Sequence, residues 1–351
     1  MRDVEKILII RFSSIGDIVL ASPLIRALRS AYPTSQIDFL VKKEYAELVQ
    51  FNPHLTSVIV LTSSEKEEIK ALKATIRNIH YDLLIDLHHS LRSFYIRLFS
   101  GVRHVRTVNK RVIARFFLVN FKWNFYRNVV SVADRYLKTV EQLGVRDDGK
   151  GLELFIPEET TSSMDAIMSK YKLDRYETIL GIAPMANHAT KRWLPERFVE
   201  FGVRSSKNHR TKIFIFGNHK ESDFCGDIAQ LINTQTGSAI AESLAGKLSL
   251  LETAAAIDFC DLVVSNDTGI MHLAAARKKK VVAIFGSTVR EFGFYPYGTD
   301  SIVLEQSGLP CRPCSHIGRE RCPKGHFRCM KDILADDVIE ATKRLLMTQT
   351  G

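Results

Sequence analysis

The chain has 351 residues, 45% of them hydrophobic and 25% charged, enough for two domains with substantial cores and too apolar for a disordered chain. No apolar run reaches the ~18 residues of a membrane span, and Arg11 cuts short the run Ile7 to Ile10 before it could serve as a signal-peptide core, so a cytoplasmic protein is expected. The net charge of +10 suggests an acidic partner, but no RNP-like aromatic strand, zinc-finger spacing or basic heptad accompanies it, which leaves an anionic membrane surface or a phosphorylated substrate ahead of nucleic acid.

Val4 to Arg11 reads as a buried strand, followed by the glycine-containing loop Phe12 to Asp17. Ile18 to Ser30 has helical periodicity, and Pro23 marks either a restart capped by Ser22 or a kink. Ile37 to Val41 and Ser57 to Leu61 are strands on either side of a helix around Glu44 to Gln50. Lys66 to Ile79 is an amphipathic helix, and Asp82 to Leu87 is a strand that ends in His88-His89-Ser90. From Arg92 to Arg127 the chain is basic, with Arg97, Arg103, Arg106, Lys110, Arg111, Arg115 and Lys122 between them and no acidic residue. Aromatic residues interleave, from Phe94 and Tyr95 to Phe125 and Tyr126. Two readings stay open: a solvated helix face with its aromatics in the core, or a cationic surface beside a membrane or anionic acceptor.

Leu152 to Ile156 reads as another strand, and Pro157 to Tyr171 as a helix. The rhythm then repeats: strand Thr178 to Ala183, helix Pro195 to Lys207, strand Lys212 to Gly217, helices Glu221 to Asn233 and Leu250 to Phe259. Alternating strands and helices predict an α/β protein of two doubly wound, Rossmann-like domains whose strand ends line a ligand cleft. The linker is placed near Leu173 to Glu177, giving domains 1–172 and 173–335. A closing amphipathic helix in 336–351 is left free to pack back on the first domain.

The stretch Asp261 to Thr288 is the most informative. Leu262 to Val264 is a short buried strand, and Asp267 and Thr268 are N-cap residue types. Gly269 permits close backbone approach, Met271 to Ala276 continues as helix, and Lys280 to Phe285 is a second strand. A helix N-terminus opening from a strand end offers free N–H groups and partial positive charge, a seat for phosphate. The same pattern also describes an ordinary βαβ unit. His272 lies one turn into the helix, as a phosphate donor or a satisfied structural histidine.

Two motifs form a pair. The first is Arg11-Phe12-Ser13-Ser14-Ile15-Gly16-Asp17 with Pro23-Leu24-Ile25-Arg26-Ala27-Leu28. The second is Ser265-Asn266-Asp267-Thr268-Gly269-Ile270-Met271-His272-Leu273-Ala274-Ala275 with Phe285-Gly286-Ser287-Thr288. Together they resemble the heptosyltransferases of lipopolysaccharide core synthesis, glycosyltransferase family nine, and the segment Cys311 to Met330 is more similar to the second type of that enzyme than to the first. The resemblance implies the glycosyltransferase B fold, with acceptor bound by the N-terminal domain and nucleotide-sugar by the C-terminal one. It implies an inverting reaction without a catalytic metal or other cofactor; a monomer is the separate expectation. The donor is ADP-L-glycero-D-manno-heptose, and the acceptor a lipid A-Kdo or heptose sugar met at the cytoplasmic face of the inner membrane.

By the same resemblance Asp17 is the catalytic base, against the alternative that it only caps the following helix. Ser14, Gly16, His88, Ser90 and Arg92 fall on the acceptor side, with His88 or His89 as a rival base. Asp267, Thr268, Gly269 and His272 fall at the donor diphosphate, where Asp267 is expected to cap the helix or hold a sugar hydroxyl. Lys191 matches a basic phosphate partner, with Arg192 as its rival. Glu221 matches a ribose acceptor or is a helix-start glutamate, and Leu248 lies on a backbone edge for adenine.

Six cysteines are present. Cys225 and Cys260 sit in apolar patterns and read as core residues. Cys311, Cys314, Cys322 and Cys329 cluster as a CxxC followed by gaps of seven and six residues. A structural zinc ribbon clusters similarly, but the second half lacks a CxxC, and reduced structural thiols are preferred. Two competing functions stay open: a nucleotide-sugar epimerase or hydrolase on a similar fold, and a nonenzymatic binder of anionic glycans.

Overall fold

The computed structural model describes residues 4–63, 65–206 and 210–347. They divide into two compact units, Met1–Val112 with Val130–Phe155, and Ile113–Val129 with Ile156–Gly351.

In chain order the first unit contains β1 (Lys6–Ile10), α1 (Ile15–Val19), α2 (Ser22–Ala31), β2 (Gln36–Lys42), α3 (Glu47–Gln50), β3 (Ser57–Leu61), α4 (Lys66–Ile79), β4 (Leu83–Asp86), α5 (Leu91–Leu98) and β5 (His104–Thr107). Helix α6 (Val112–Phe121) follows and belongs to the second unit by its contacts; α7 (Val132–Lys138) returns to the first. The strands form one sheet in the order β3-β2-β1-β4-β5, every pairing parallel. Ile7 to Ile10 are fully buried because helices cover both faces of such a sheet, which is why β1 is a continuous apolar run and not an alternating one. Leu8, Ile10, Phe12, Leu40, Leu84 and Ile96 share a core with α4 residues Ile69, Leu72 and Ile76.

Pro23 marks a restart. α1 ends at Val19 and α2 begins at Ser22 with Pro23 in its first turn, where a missing N–H costs nothing. Ser22 is not the cap: Ala21 holds that position, and the Ser22 hydroxyl donates to the Val19 carbonyl at 2.7 Å.

The second unit contains α8 (Glu158–Met168), β6 (Thr178–Ala183), α9 (Pro195–Ser205), β7 (Thr211–Ile215), α10 (Ser222–Thr236), β8 (Ala241–Ser243), α11 (Leu250–Ile257), β9 (Leu262–Asn266), α12 (Gly269–Ala276), β10 (Lys280–Phe285), β11 (Ser301–Glu305), α13 (Arg328–Lys331) and α14 (Ala335–Met347). The expected end of the Pro195 helix at Lys207 lies outside the described residues. The sheet order is β11-β10-β9-β6-β7-β8, again all parallel. Both sheets therefore reverse direction beside their first strand, between β1 and β4 and between β6 and β9. At such a switch point the loops leaving the strand ends part and leave a crevice for a ligand.

Three expectations are corrected. Leu152 to Ile156 is not a strand: Glu153 is drawn to α2, its N–H donating to the Ser22 hydroxyl and its carboxylate pairing with Arg26 at 2.8 Å, so the segment joins no sheet. The boundary between units falls at Phe155, not at 172, because α8 packs on α11 of the second unit. The closing helix is also part of the second unit, where Val338, Ala341 and Leu345 enter its core beside Phe198, Phe201 and Ile284.

Candidate functional site

In the first unit the switch-point loops follow β1 and β4. Asp17 lies in the first turn of α1, and its carboxylate is held from three sides. The Arg11 guanidinium stands at 2.6 Å, the Tyr136 hydroxyl donates to Oδ1 at 3.2 Å, and the Ser14 hydroxyl donates to Oδ2 at 3.1 Å. The Ser14 N–H also points at Oδ2, so Asp17 does take part in the N-terminal turn, but a cap needs neither Arg11 nor Tyr136. Arg11 is 7% exposed and donates from Nη1 to the Leu87 carbonyl at 2.7 Å, which ties the β1 loop to the β4 loop. Burial works against its charge, yet Asp17, Tyr136 and Asp86 outweigh it and raise the guanidinium above its ordinary value. Burial, aided by Asp17, pushes the Tyr136 phenol up, so this residue keeps its proton and remains a donor.

His88 rests edge-on against Phe12, with ring centroids 4.8 Å apart, and Arg92 lies 6.0 Å over the other member of that contact. Burial, together with the positive charges of Arg11 and Lys110, depresses the His88 imidazole to about 3. Neutral at ordinary pH but feebly basic, it is a poorer proton acceptor than the histidines used for base catalysis. His89 turns away, its ring nitrogen bonded to the Val108 carbonyl at 3.0 Å. Ser90 caps α5 by accepting from the Ser93 N–H. Gly16 is buried within α1.

In the second unit the corresponding loops follow β6 and β9, and they meet through an ion pair. Lys191 Nζ stands 2.6 Å from Asp267 Oδ2, and the Thr288 hydroxyl donates to the same oxygen at 2.7 Å. Thr268, not Asp267, caps α12, its hydroxyl accepting from the Ile270 N–H at 3.1 Å. Asp267 is thereby released from capping and serves to fix Lys191 at the mouth of the helix. The rival Arg192 points elsewhere, donating to the Ala186 carbonyl. His272 is 3% exposed with Phe294 as a ring neighbour at 6.4 Å. Glu221 Oε2 accepts from the Asn218 N–H at 2.8 Å, so it closes a short turn before α10. Leu248 is half-buried immediately before Ser249, the cap of α11.

Arg312 was not singled out by any motif, yet it organises this loop. It is 9% exposed and donates to the Gly286 carbonyl at 2.6 Å and the Thr288 carbonyl at 2.7 Å, while Glu305 pairs with it at 2.6 Å. It thus links the cysteine segment to the residue that holds Asp267. Gly286 must be glycine, since a Cβ there would lie 2.6 Å from both the Thr190 carbonyl and Met330. The position of Arg312 inside Cys311-Arg312-Pro313-Cys314 is the sequence feature that could have drawn attention to it.

All six cysteines are free. Burial raises the Cys314 thiol and pushes Cys329 up to about 12. Cys311 Sγ stands 3.7 Å from His326 Nε2, and among the described residues no group of three or more His, Cys, Asp or Glu converges in a metal-holding arrangement. No helix among them is long and apolar enough to cross a membrane.

The model of glycosyltransferase family 9 (heptosyltransferase) matches residues 69–323. The lipooligosaccharide heptosyltransferase 2 of Campylobacter jejuni is 29% identical over 336 residues, covering 95% of each chain. The structure superposes on a family 9 glycosyl transferase from Veillonella parvula with a TM-score of 0.79 at 22% identity, covering 98% of each chain. It superposes on the E. coli ADP-heptose lps heptosyltransferase II with a TM-score of 0.74 at 23% identity, covering 99% of this chain and 100% of the other. These chains share the glycosyltransferase B architecture of two parallel sheets, and a family model that spans most of the sequence, across both sheets, decides the assignment: the chain belongs to glycosyltransferase family 9, the heptosyltransferases.

Proposed function

We propose that this heptosyltransferase transfers a heptose from ADP-L-glycero-D-manno-heptose to a sugar of the lipopolysaccharide inner core, with inversion at the anomeric carbon. An acceptor hydroxyl attacks that carbon, the bond to the diphosphate oxygen breaks, and the proton passes to Asp17. ADP leaves with the bonding pair. In this reading Asp17 is the base, and a positioned carboxylate contributes roughly 10²–10⁴-fold. Arg11 and Tyr136 hold it in place. Lys191 and the amides at the start of α12 that Thr268 does not engage balance the charge that grows on the diphosphate. Because protein groups can supply that charge, no metal is needed for the step. Glu221 and the backbone near Leu248 would receive the ribose and adenine, and Ser14, Gly16, Ser90 and Arg92 the acceptor.

The observation that carries the reading is the clamp on Asp17: a buried arginine and a tyrosine that keeps its proton fix one carboxylate at a sheet switch point. The donor rests on a coarser support, the likeness to a protein described as an ADP-heptose lps heptosyltransferase II. The test is Asp17→Asn with ADP-heptose and truncated inner-core acceptors, read by mass spectrometry. ADP binding should persist and transfer should fall by roughly 10²–10⁴-fold. Full turnover in the variant would remove Asp17 from the chemistry. Rapid consumption of donor without acceptor would favour a hydrolase or epimerase instead. The lipid-linked acceptor also implies that the enzyme works peripherally at the cytoplasmic face of the inner membrane.

A further inference from the structure

The aromatic residues that follow α5 do not all enter a core. Ile113 is 75% exposed, Phe116 54%, Phe121 52%, Trp123 57% and Phe125 58%. They pack on one another: Trp123 stacks on Phe117 with centroids 5.9 Å apart and lies 5.4 Å from Phe121, while Phe125 meets Phe117 edge-on at 5.3 Å. The result is a ready-formed apolar knob and not a set of loose side chains. Its base is fastened within the second unit. Lys122 Nζ donates to the Val119 carbonyl at 2.7 Å and to the Pro313 carbonyl at 2.5 Å, and the Asn124 amide donates to Glu291 at 3.0 Å.

An exposed apolar cluster of this kind needs an occupant, and charge selects it. Residues 113–129 carry Arg115, Lys122 and Arg127 and no acidic residue, and the acid-free run extends from Leu87 to Ala133. A second copy of the chain would set like charge against like. An anionic bilayer offers phosphates to the arginines and a headgroup–acyl boundary to the rings, where tryptophan and phenylalanine partition well.

We propose that the segment 112–129 is a membrane wedge: Phe116, Phe121, Trp123 and Phe125 enter the boundary region of an anionic phospholipid bilayer while Arg115 and Arg127 meet lipid phosphates. The proposed function enters only as the reason a bilayer lies within reach, namely a lipid-linked acceptor. The wedge stands on its own geometry.

The chain carries its own reporter. It has two tryptophans, and Trp193 is 1% exposed, so changes on vesicle addition come from Trp123. With vesicles of phosphatidylcholine and phosphatidylglycerol, Trp123 emission should shift to the blue and be quenched by lipids brominated in their acyl chains. Phosphatidylcholine alone should give little of either, and salt should weaken the association. F121S/F125S should bind the anionic vesicles about tenfold or more weakly. Transfer to a soluble, lipid-free acceptor should be unchanged in that variant, which separates failure of the wedge from failure of the enzymatic reading. Vesicle binding without bromine quenching overturns the proposal, because it would mean surface adsorption without insertion. Equal binding to neutral and anionic vesicles overturns it as well, as would self-association or capture of an acidic protein through this face with no vesicle binding. The native protein's own quenching decides the matter should the double variant fail to fold.

Discussion

Asp17 and Arg11 share one sequence motif, whereas Tyr136 lies 119 residues from Asp17 and belongs to none. The aspartate was legible as a candidate through the motif's family resemblance, while from its local sequence alone it reads first as a helix cap. Its clamp was not, since nothing in a linear chain says that residue 136 will reach residue 17. His88 illustrates the reverse case, a residue type that invites a role its surroundings oppose. Its folded value of about 3 lies well below the ordinary 6.5, so between those values the unfolded chain binds the extra proton. Stability contributed by neutral His88 is therefore full above about pH 6.5 and is lost as pH falls toward 3. Histidine ring resonances followed by NMR should show His88 neutral and untitrated from pH 8 down to about 4. Titration near pH 6.5 would show that the ring is neither desolvated nor influenced by Arg11, and would restore it as a rival base.

Buried strands were read within a residue or two where apolar runs are uninterrupted, as in β1, β9 and β10. Edge strands were not, apart from β3. β5, with the sequence His-Val-Arg-Thr, and β11, half-buried throughout, carry the polar character of strands with one open side, and β8 has three residues. The segment Leu152 to Ile156 shows the opposite failure. Its apolar character suits a strand, yet Ser22 and Arg26 take up its polar groups. α14 was recognised as amphipathic, but amphipathicity does not name the surface it covers. Here the apolar stripe closes the second unit, so Leu345→Ala should cost about 2 kcal/mol, near the low end for such truncations because the last turn can relax. The measurement is thermal or denaturant unfolding followed by ADP binding of the folded fraction. An unchanged midpoint would mean that the helix lends the second unit no core.

At the scale of the molecule, both sheets follow the same winding order, and each presents one pair of loops at its switch point. If ADP occupies the second unit, its binding should slow amide exchange in 184–192, 266–272 and 286–288, and leave 12–17 unaffected. Saturating ADP at about 100 times its Kd should add ~2.7 kcal/mol to the stability of the unit it binds. Hydrogen-exchange mass spectrometry gives the map, and protection centred on the β1 loop would reverse the assignment of donor and acceptor sides. Local periodicity and the paired loop motifs were enough to determine the α/β class, the doubly wound repeat and the family, because hydrophobic spacing and turn chemistry act over a few residues and survive in the linear text. Tertiary structure alone decided that the unit boundary lies at Phe155, that Phe116, Phe121, Trp123 and Phe125 are exposed, that Thr268 caps α12 and so frees Asp267 for Lys191, and that Arg312 braces the loop behind them. Each of these depends on which distant group a side chain finds to satisfy its charge or hide its apolar surface, and that choice is made only when the chain has packed.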